Sequence, residues 1–209
     1  MIKIFIADDH VLIREGFKKI LREEKDMCVV GEAQTAAEIL ERIVQSECDI
    51  LVLDLALPDR PGLEVLREIK RILPHMCVLI LSLLPEDQFA LRALKAGADG
   101  YLSKDSAANE LARAIRRIAS GKKYVSENLS QDLLEKVRGE MPVMMHEALS
   151  DREMQILQLI ASGKAISDIA AQLNLSVSTV NTHRTHILEK MNLHSNAELM
   201  RYAIENKLV

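Results

Sequence analysis

Over the first 123 residues, short runs of apolar and β-branched residues alternate with amphipathic stretches, and this alternation restricts the fold more than any other feature. The runs are IKIFIA (2–7), MCVVGEA (27–33), DILVLD (49–54), CVLILS (77–82) and GYLS (100–103). Between them, 36–46 place Ala36, Ile39, Leu40 and Ile43 at i, i+3, i+4 and i+7. Residues 63–73 carry Leu63, Leu66, Ile69 and Leu73 at helical spacing, and 107–119 carry Ala107, Leu111, Ala114, Ile115 and Ile118. Strands that are apolar throughout need cover on both faces, which a parallel sheet with crossover helices supplies. The expected fold is a doubly wound α/β domain with a five-stranded parallel sheet. Such sheets bind their ligands at the carboxyl ends of the strands.

From residue 148 the pattern changes to helices alone. LSDREMQILQLIASG opens on a capping box, Ser150 to Glu153, and ends at Gly163. SDIAAQLN is a short second helix with Ser167 as its cap, and a turn at 174–176 leads into VSTVNTHRTHILEKM. NAELMRYAIEN closes the chain. Two helices joined by a short turn match a helix-turn-helix, whose second helix enters the major groove of DNA. The expected domains are therefore 1–123, a linker at 124–147 and a small all-α four-helix domain at 148–209. Within the linker, SQDLLEKVRGE (130–140) is helix-like and acidic, and MPVMMHEA surrounds Pro142.

No apolar stretch approaches the roughly 18 residues of a membrane span, and the amino terminus has too short an apolar run for a secretion signal. A cytoplasmic chain with no membrane insertion is expected. Cys28, Cys48 and Cys77 show no metal-binding spacing and are expected to be small buried hydrophobes. With no Trp, 3 Tyr and 3 Phe, the chain lacks stacking platforms for single-stranded nucleic acid.

Asp54 ends an otherwise apolar run, and a buried carboxylate is costly without partners. Asp8 and Asp9 end the first strand, so in a parallel sheet all three converge on one site. Clustered carboxylates repel, and a hard divalent cation such as Mg2+ relieves that repulsion while leaving room for a phosphoryl ligand. Ser82, ending the fourth strand, can hydrogen-bond a phosphoryl oxygen, and Lys104, past the fifth, supplies a positive charge. An aspartate so placed is a competent nucleophile toward phosphorus. One aspartate at a strand end is more often a helix cap than a catalyst, but five such groups at one sheet edge are not explained by capping.

The motifs ADDH (7–10), DILVLDLALP (49–58), LILS (79–82) and GADGYLSKD (97–105) resemble those of two-component response regulators of the NarL/FixJ type. The resemblance covers essentially the whole chain: a flavodoxin-like receiver followed by a LuxR-type helix-turn-helix domain. It implies that Asp54 is the phosphoacceptor, that Asp8 and Asp9 hold Mg2+, and that the backbone carbonyl of Ala56 completes the metal site. It also implies that Ser82 and Lys104 bind the phosphoryl group and that Tyr101 is an aromatic switch turning inward with Ser82. A sensor histidine kinase, promoter DNA and a second copy of the chain are the implied partners. The chain is not expected to be an enzyme beyond its own phosphotransfer and self-dephosphorylation.

Two positions depart from the usual pattern. Ala56 and Leu84, two residues after Asp54 and Ser82, cannot orient a hydrolytic water, so slow dephosphorylation is expected. Leu83, bulkier than the small residue common there, is expected to narrow access for small phosphodonors.

In the helix-turn-helix, Val177, Val180, Ile187 and Met191 share one stripe, with Leu188 at its edge. Ser178, Thr182, Thr185, His186 and Glu189 lie opposite, with Asn181 on the flank. Asn181 can pair with adenine and threonine methyls can contact thymine. Arg184 falls over the apolar stripe and is expected to reach a phosphate, as are Thr179, Lys164 and Lys190. His183, at the helix edge, is assigned either to the core or to the DNA backbone. Residues 148–209 carry 6 basic and 6 acidic side chains, and the family's frequent lysine is Asn181 here. Weak monomer binding to DNA and a need for dimerisation follow.

Two rivals are a regulator with a degenerate receiver and a hydrolase using Asp54 as nucleophile. The complete set Asp8, Asp9, Asp54, Ser82 and Lys104 speaks against the first, and the short loops of 1–123 against the second.

Overall fold

A computed structural model describes residues 1–84, 86–126, 129–131, 144–206 and 208–209. The chain divides into two compact units, Met1–Arg138 and Gly139–Val209.

In the first unit, β1 (Ile2–Ala7), α1 (Val11–Arg22), β2 (Met27–Ala33), α2 (Ala36–Arg42), β3 (Ile50–Leu53), α3 (Gly62–Ile72), β4 (Cys77–Ser82), α4 (Glu86–Lys95), β5 (Gly100–Ser103) and α5 (Ala107–Ala119) alternate. The strands pair in parallel in the order β2-β1-β3-β4-β5. One face, carrying Ile4, Ile6, Ile50, Val52, Leu79 and Leu81, packs on Phe17 and Leu21 of α1 and Leu111, Ile115 and Ile118 of α5. The alternate residues Phe5, Leu51, Leu53, Val78 and Ile80 are buried on the other face. The apolar runs are continuous because both faces are covered, and each fully buried side chain of this size contributes about 1.5–3 kcal/mol.

One helix differs in detail from the sequence expectation. The helix expected over 36–46 ends at Arg42 and tightens into a 3₁₀ turn, Ile43–Gln45. The unit also runs beyond residue 123. Tyr124 is buried and forms a parallel bridge to Gly100, with its N–H on the Asp99 carbonyl and its own carbonyl accepting from Tyr101. Leu129 is likewise buried. Of the helical stretch expected over 130–140, residues 132–140 lie outside the described residues, as does Pro142.

In the second unit a 3₁₀ turn (Met145–Ala148) precedes α6 (Asp151–Ala161), α7 (Ile166–Gln172), α8 (Val177–Lys190) and α9 (Asn196–Glu205). Ser150 and Glu153 form the expected capping box, and Gly163, at φ 80°, closes α6 in the left-handed region that glycine favours. The core comprises Met154, Ile156, Leu157, Ile169, Val180, Ile187, Met191, Leu199 and Ala203.

Three expectations are corrected. The cap of α7 is Ala165, not Ser167: the Ala165 carbonyl accepts from Asp168 and Ile169, and Ser167 lies inside the helix with its hydroxyl on the Asp168 carboxylate. Val177, the first residue of α8, is exposed rather than buried with Val180 and Ile187. The three cysteines are half-buried rather than enclosed. Cys28 sits on the edge strand β2, Cys77 begins β4, and Cys48 precedes β3, all away from the centre of the sheet.

Candidate functional site

The carboxyl ends of β1 and β3 are adjacent because Ala7 is paired with Leu53. Asp8 and Asp54 therefore emerge side by side, both buried at 2% exposure. Gly62 allows the entry of α3 to lie against this turn. A Cβ there would stand 2.5 Å from the Asp54 carbonyl oxygen, and its N–H donates to the Leu55 carbonyl at 2.9 Å.

Lys104 reaches in from the end of β5. Its Nζ is 2.6 Å from Asp54 Oδ2 and 2.7 Å from Asp8 Oδ2, with little of any of the three side chains exposed. The Ala56 N–H donates to Asp54 Oδ1 at 3.1 Å. Burial pushes the Asp54 carboxyl above the usual carboxylate range, and Lys104 and the Ala56 N–H only partly offset that. His10 Nδ1 lies 2.6 Å from Asp9 Oδ1, and that buried oxygen has no hydrogen-bond partner among the described residues. Asp8, Asp9, His10 and Asp54 offer ligand atoms within 4.8 Å of one another. Three carboxylates thus face one ammonium, an excess of negative charge that suits a divalent cation.

Ser82 and Tyr101 are fully buried and meet at one backbone residue. The Leu84 N–H donates to Ser82 Oγ at 3.2 Å, and the Tyr101 hydroxyl donates to the Leu84 carbonyl at 2.7 Å. The sequence singled out Leu84 for its apolar side chain, whereas here its peptide joins the two. Leu83 is exposed at 62%.

In α8, Ser178, Asn181, Thr182, Thr185, His186 and Glu189 are exposed, opposite the buried Val180 and Ile187. The Thr182 and Thr185 hydroxyls donate to the carbonyls of Ser178 and Asn181. Thr179, half-buried, shares a hydrogen bond with the capping Ser176. The expected phosphate-binding cations all have protein partners. Lys164 donates to Gln172, Arg184 to Asn196, and Lys190 sits 2.7 Å from the buried Glu153. Burial would push the Glu153 carboxyl up, but Lys190 and the Ser150 N–H outweigh it and hold it low. His183 is half-buried. Burial lowers its pKa, and its buried Nδ1 has no hydrogen-bond partner among the described residues.

The sequence model of the response regulator receiver domain matches residues 4–116, more than half the chain. The chain is a response regulator. The model of the LuxR family of bacterial regulatory proteins matches residues 147–203, giving a receiver followed by a LuxR-type DNA-binding domain. The chain is 34% identical to the response regulator UvrY of Escherichia coli over all of this chain and 96% of the relative. It is 37% identical to the oxygen regulatory protein NreC of Staphylococcus epidermidis over 99% of each. Among solved structures, RcsB of Salmonella typhimurium shares 26% identity, with a TM-score of 0.61 over 96% of this chain and 97% of that one.

Around the candidate residues of this response regulator lie buried polar contacts with less obvious sequence signals. Arg14, only 4% exposed, donates to the Asp8 carbonyl at 2.7 Å and to Glu32 at 3.1 Å. Its signal was its place on the buried stripe of α1 with Phe17 and Leu21. His10 was visible as the residue after two aspartates. The pairing of Glu153 with Lys190 joins residues 37 apart and leaves no local trace.

Proposed function

We propose that this response regulator accepts a phosphoryl group on Asp54 from a sensor histidine kinase, in a Mg2+-dependent step, and then pairs with a second copy to bind promoter DNA. The observation that carries this is the buried Asp54 carboxylate, held at Lys104 among more negative charge than Lys104 can neutralise. Asp9 Oδ1, which has no hydrogen-bond partner among the described residues, and the oxygen donors around it fit a hard cation. Asp8, Asp9, Asp54 and the Ala56 carbonyl are the residues that would hold it, and the ion would neutralise charge on the phosphoryl oxygens.

The chain's own residues supply the remainder. An Asp54 carboxylate oxygen forms the new O–P bond as the P–N bond of the donor phosphohistidine breaks, and the electron pair leaves with the donor imidazole. Lys104 Nζ, already 2.6 Å from Asp54, follows the transferred charge as a counterion. Ser82 Oγ is released from the Leu84 N–H to meet a phosphoryl oxygen, and the Leu84 carbonyl held by Tyr101 moves with it. The Tyr101 N–H donates to the Tyr124 carbonyl, which gives the change a direct route into the linker. RcsB, the structural relative, is described both in complex with DNA and as dimers on DNA. Receiver rearrangement here is read out in the same two ways, and the cytoplasm is the compartment in which kinase and promoter meet.

Wild type and Asp54→Ala are compared with and without phosphodonor and Mg2+, for assembly mass and for retention of duplexes from a random-sequence pool. Dimerisation and DNA retention that rise with donor only in the wild type support the proposal. Equal behaviour of the two proteins rejects it.

A further inference from the structure

At the end of the sheet opposite Asp54, a cavity of about 660 Å³ opens at the amino-terminal ends of β3 and β4. The four residues of β3 separate the two ends by about 13 Å, so this cavity is distinct from the acidic site. Its lining has an unusual composition. Five of its twelve residues are Met1, Cys48, His75, Met76 and Cys77. The chain's 3 Cys, 9 Met and 6 His together make up fewer than one in ten of its 209 residues. Two of the three cysteines are gathered here, and neither is in a disulfide.

Two of the sulfurs already meet. Cys48 Sγ lies 3.8 Å from Met76 Sδ, and Cys77 starts the strand that pairs with β3 through Ile50. The Met76 backbone is fixed from behind. Lys70 Nζ is 2.7 Å from its carbonyl, and its N–H donates to the Leu73 carbonyl at 3.0 Å. Burial pushes both thiols above the usual range, so the resting pocket is uncharged at these groups. All three sulfur-bearing residues are half-buried.

We propose that this cavity binds a soft monovalent cation of the copper(I) class, ligated by Cys48, Met76 and Cys77 with His75 and Met1 at the rim. Thiolate and thioether sulfur select soft cations, whereas a thioether is a poor ligand for a hard one. Each ligating cysteine loses its thiol proton to solvent as the sulfur–metal bond forms, and no electron is transferred. The proposal does not depend on phosphorylation of Asp54.

The test uses the full-length, reduced chain and silver(I) in chloride-free buffer as a redox-inert probe. The expected result is one silver ion per chain by native mass spectrometry, with proton release and a raised melting temperature. At saturation Cys48 and Cys77 resist alkylation while Cys28, in another part of the unit, still reacts. Cys48→Ser and the volume-conserving Met76→Leu each weaken binding by more than about tenfold, and Cys28→Ser leaves it unchanged. Cys48 and Cys77 that stay reactive at saturating silver would overturn the proposal without any variant. So would equal loss of binding in Cys28→Ser, or zinc(II) taken up in preference to silver(I).

Discussion

The hydroxyl of Tyr101 donates to the carbonyl of Leu84 at 2.7 Å, and the N–H of the same Leu84 donates to Ser82 Oγ. One peptide residue therefore holds both the buried hydroxyl beside the acidic site and the buried ring on β5. Replacing Tyr101 by Phe keeps the ring and removes the bond. The Leu84 carbonyl loses its donor, at a cost of about 1 kcal/mol. Urea unfolding of Tyr101→Phe should show that loss, together with weaker coupling of phosphorylation to DNA binding. A variant as stable and as responsive as the wild type would show that the bond carries nothing.

Gly100 lies so close to Tyr124 that a Cβ would stand 2.7 Å from the Tyr124 carbonyl oxygen. Gly100→Ala should displace the Tyr124 bridge and destabilise the receiver by about 1–3 kcal/mol. Hydrogen exchange at the Tyr101 amide, which donates to Tyr124, should accelerate in the variant. Unchanged protection would mean that the linker start is held by other contacts.

Asp99 gives a pH signature. Burial alone would raise its carboxyl pKa, but Lys123 and Lys70, with the Val78 N–H, hold it below the usual value. A depressed folded-state pKa adds stability that is fully present above the unfolded value, near about 4, and is lost as pH falls through the folded one. Asp99→Asn should therefore be less stable than wild type at neutral pH, with the difference closing as the solution is acidified below about pH 4. Denaturant midpoints at a series of pH values check this, and a difference that stays constant contradicts it.

Neither Ala56 nor Leu84 offers a side-chain group to steer a water at the acidic site. Ala56 is exposed beside Asp54, and Leu84 offers only an apolar side chain next to Ser82. The phosphorylated protein should keep its phosphoryl group far longer than seconds at neutral pH, and Ala56→Asn should shorten that lifetime. Loss followed by radiolabel or intact mass measures both.

The sequence made the sheet legible because β3, β4 and most of β1 are continuously apolar, as strands covered on both faces must be. The convergence of Asp8, Asp54 and Lys104 followed from topology, since parallel strands bring their carboxyl ends together. Arg14 was not legible in the same way, because an arginine on an apolar stripe looks like an interruption until its partners, the Asp8 carbonyl and Glu32, are known. The cap at Ala165 was missed because alanine has no polar side chain to cap with, so the position carries no sequence signature. The engagement of Lys190 by Glu153 and of Arg184 by Asn196 depends on how helices pack, which spacing within one helix does not encode.

Intact mass after exposure to a phosphorylated histidine donor and Mg2+ tests the phosphoacceptor most directly. The wild type should gain the mass of one phosphoryl group, and Asp54→Ala should gain none. A phosphoryl group on Asp54→Ala, or none on the wild type, would contradict the assignment of Asp54.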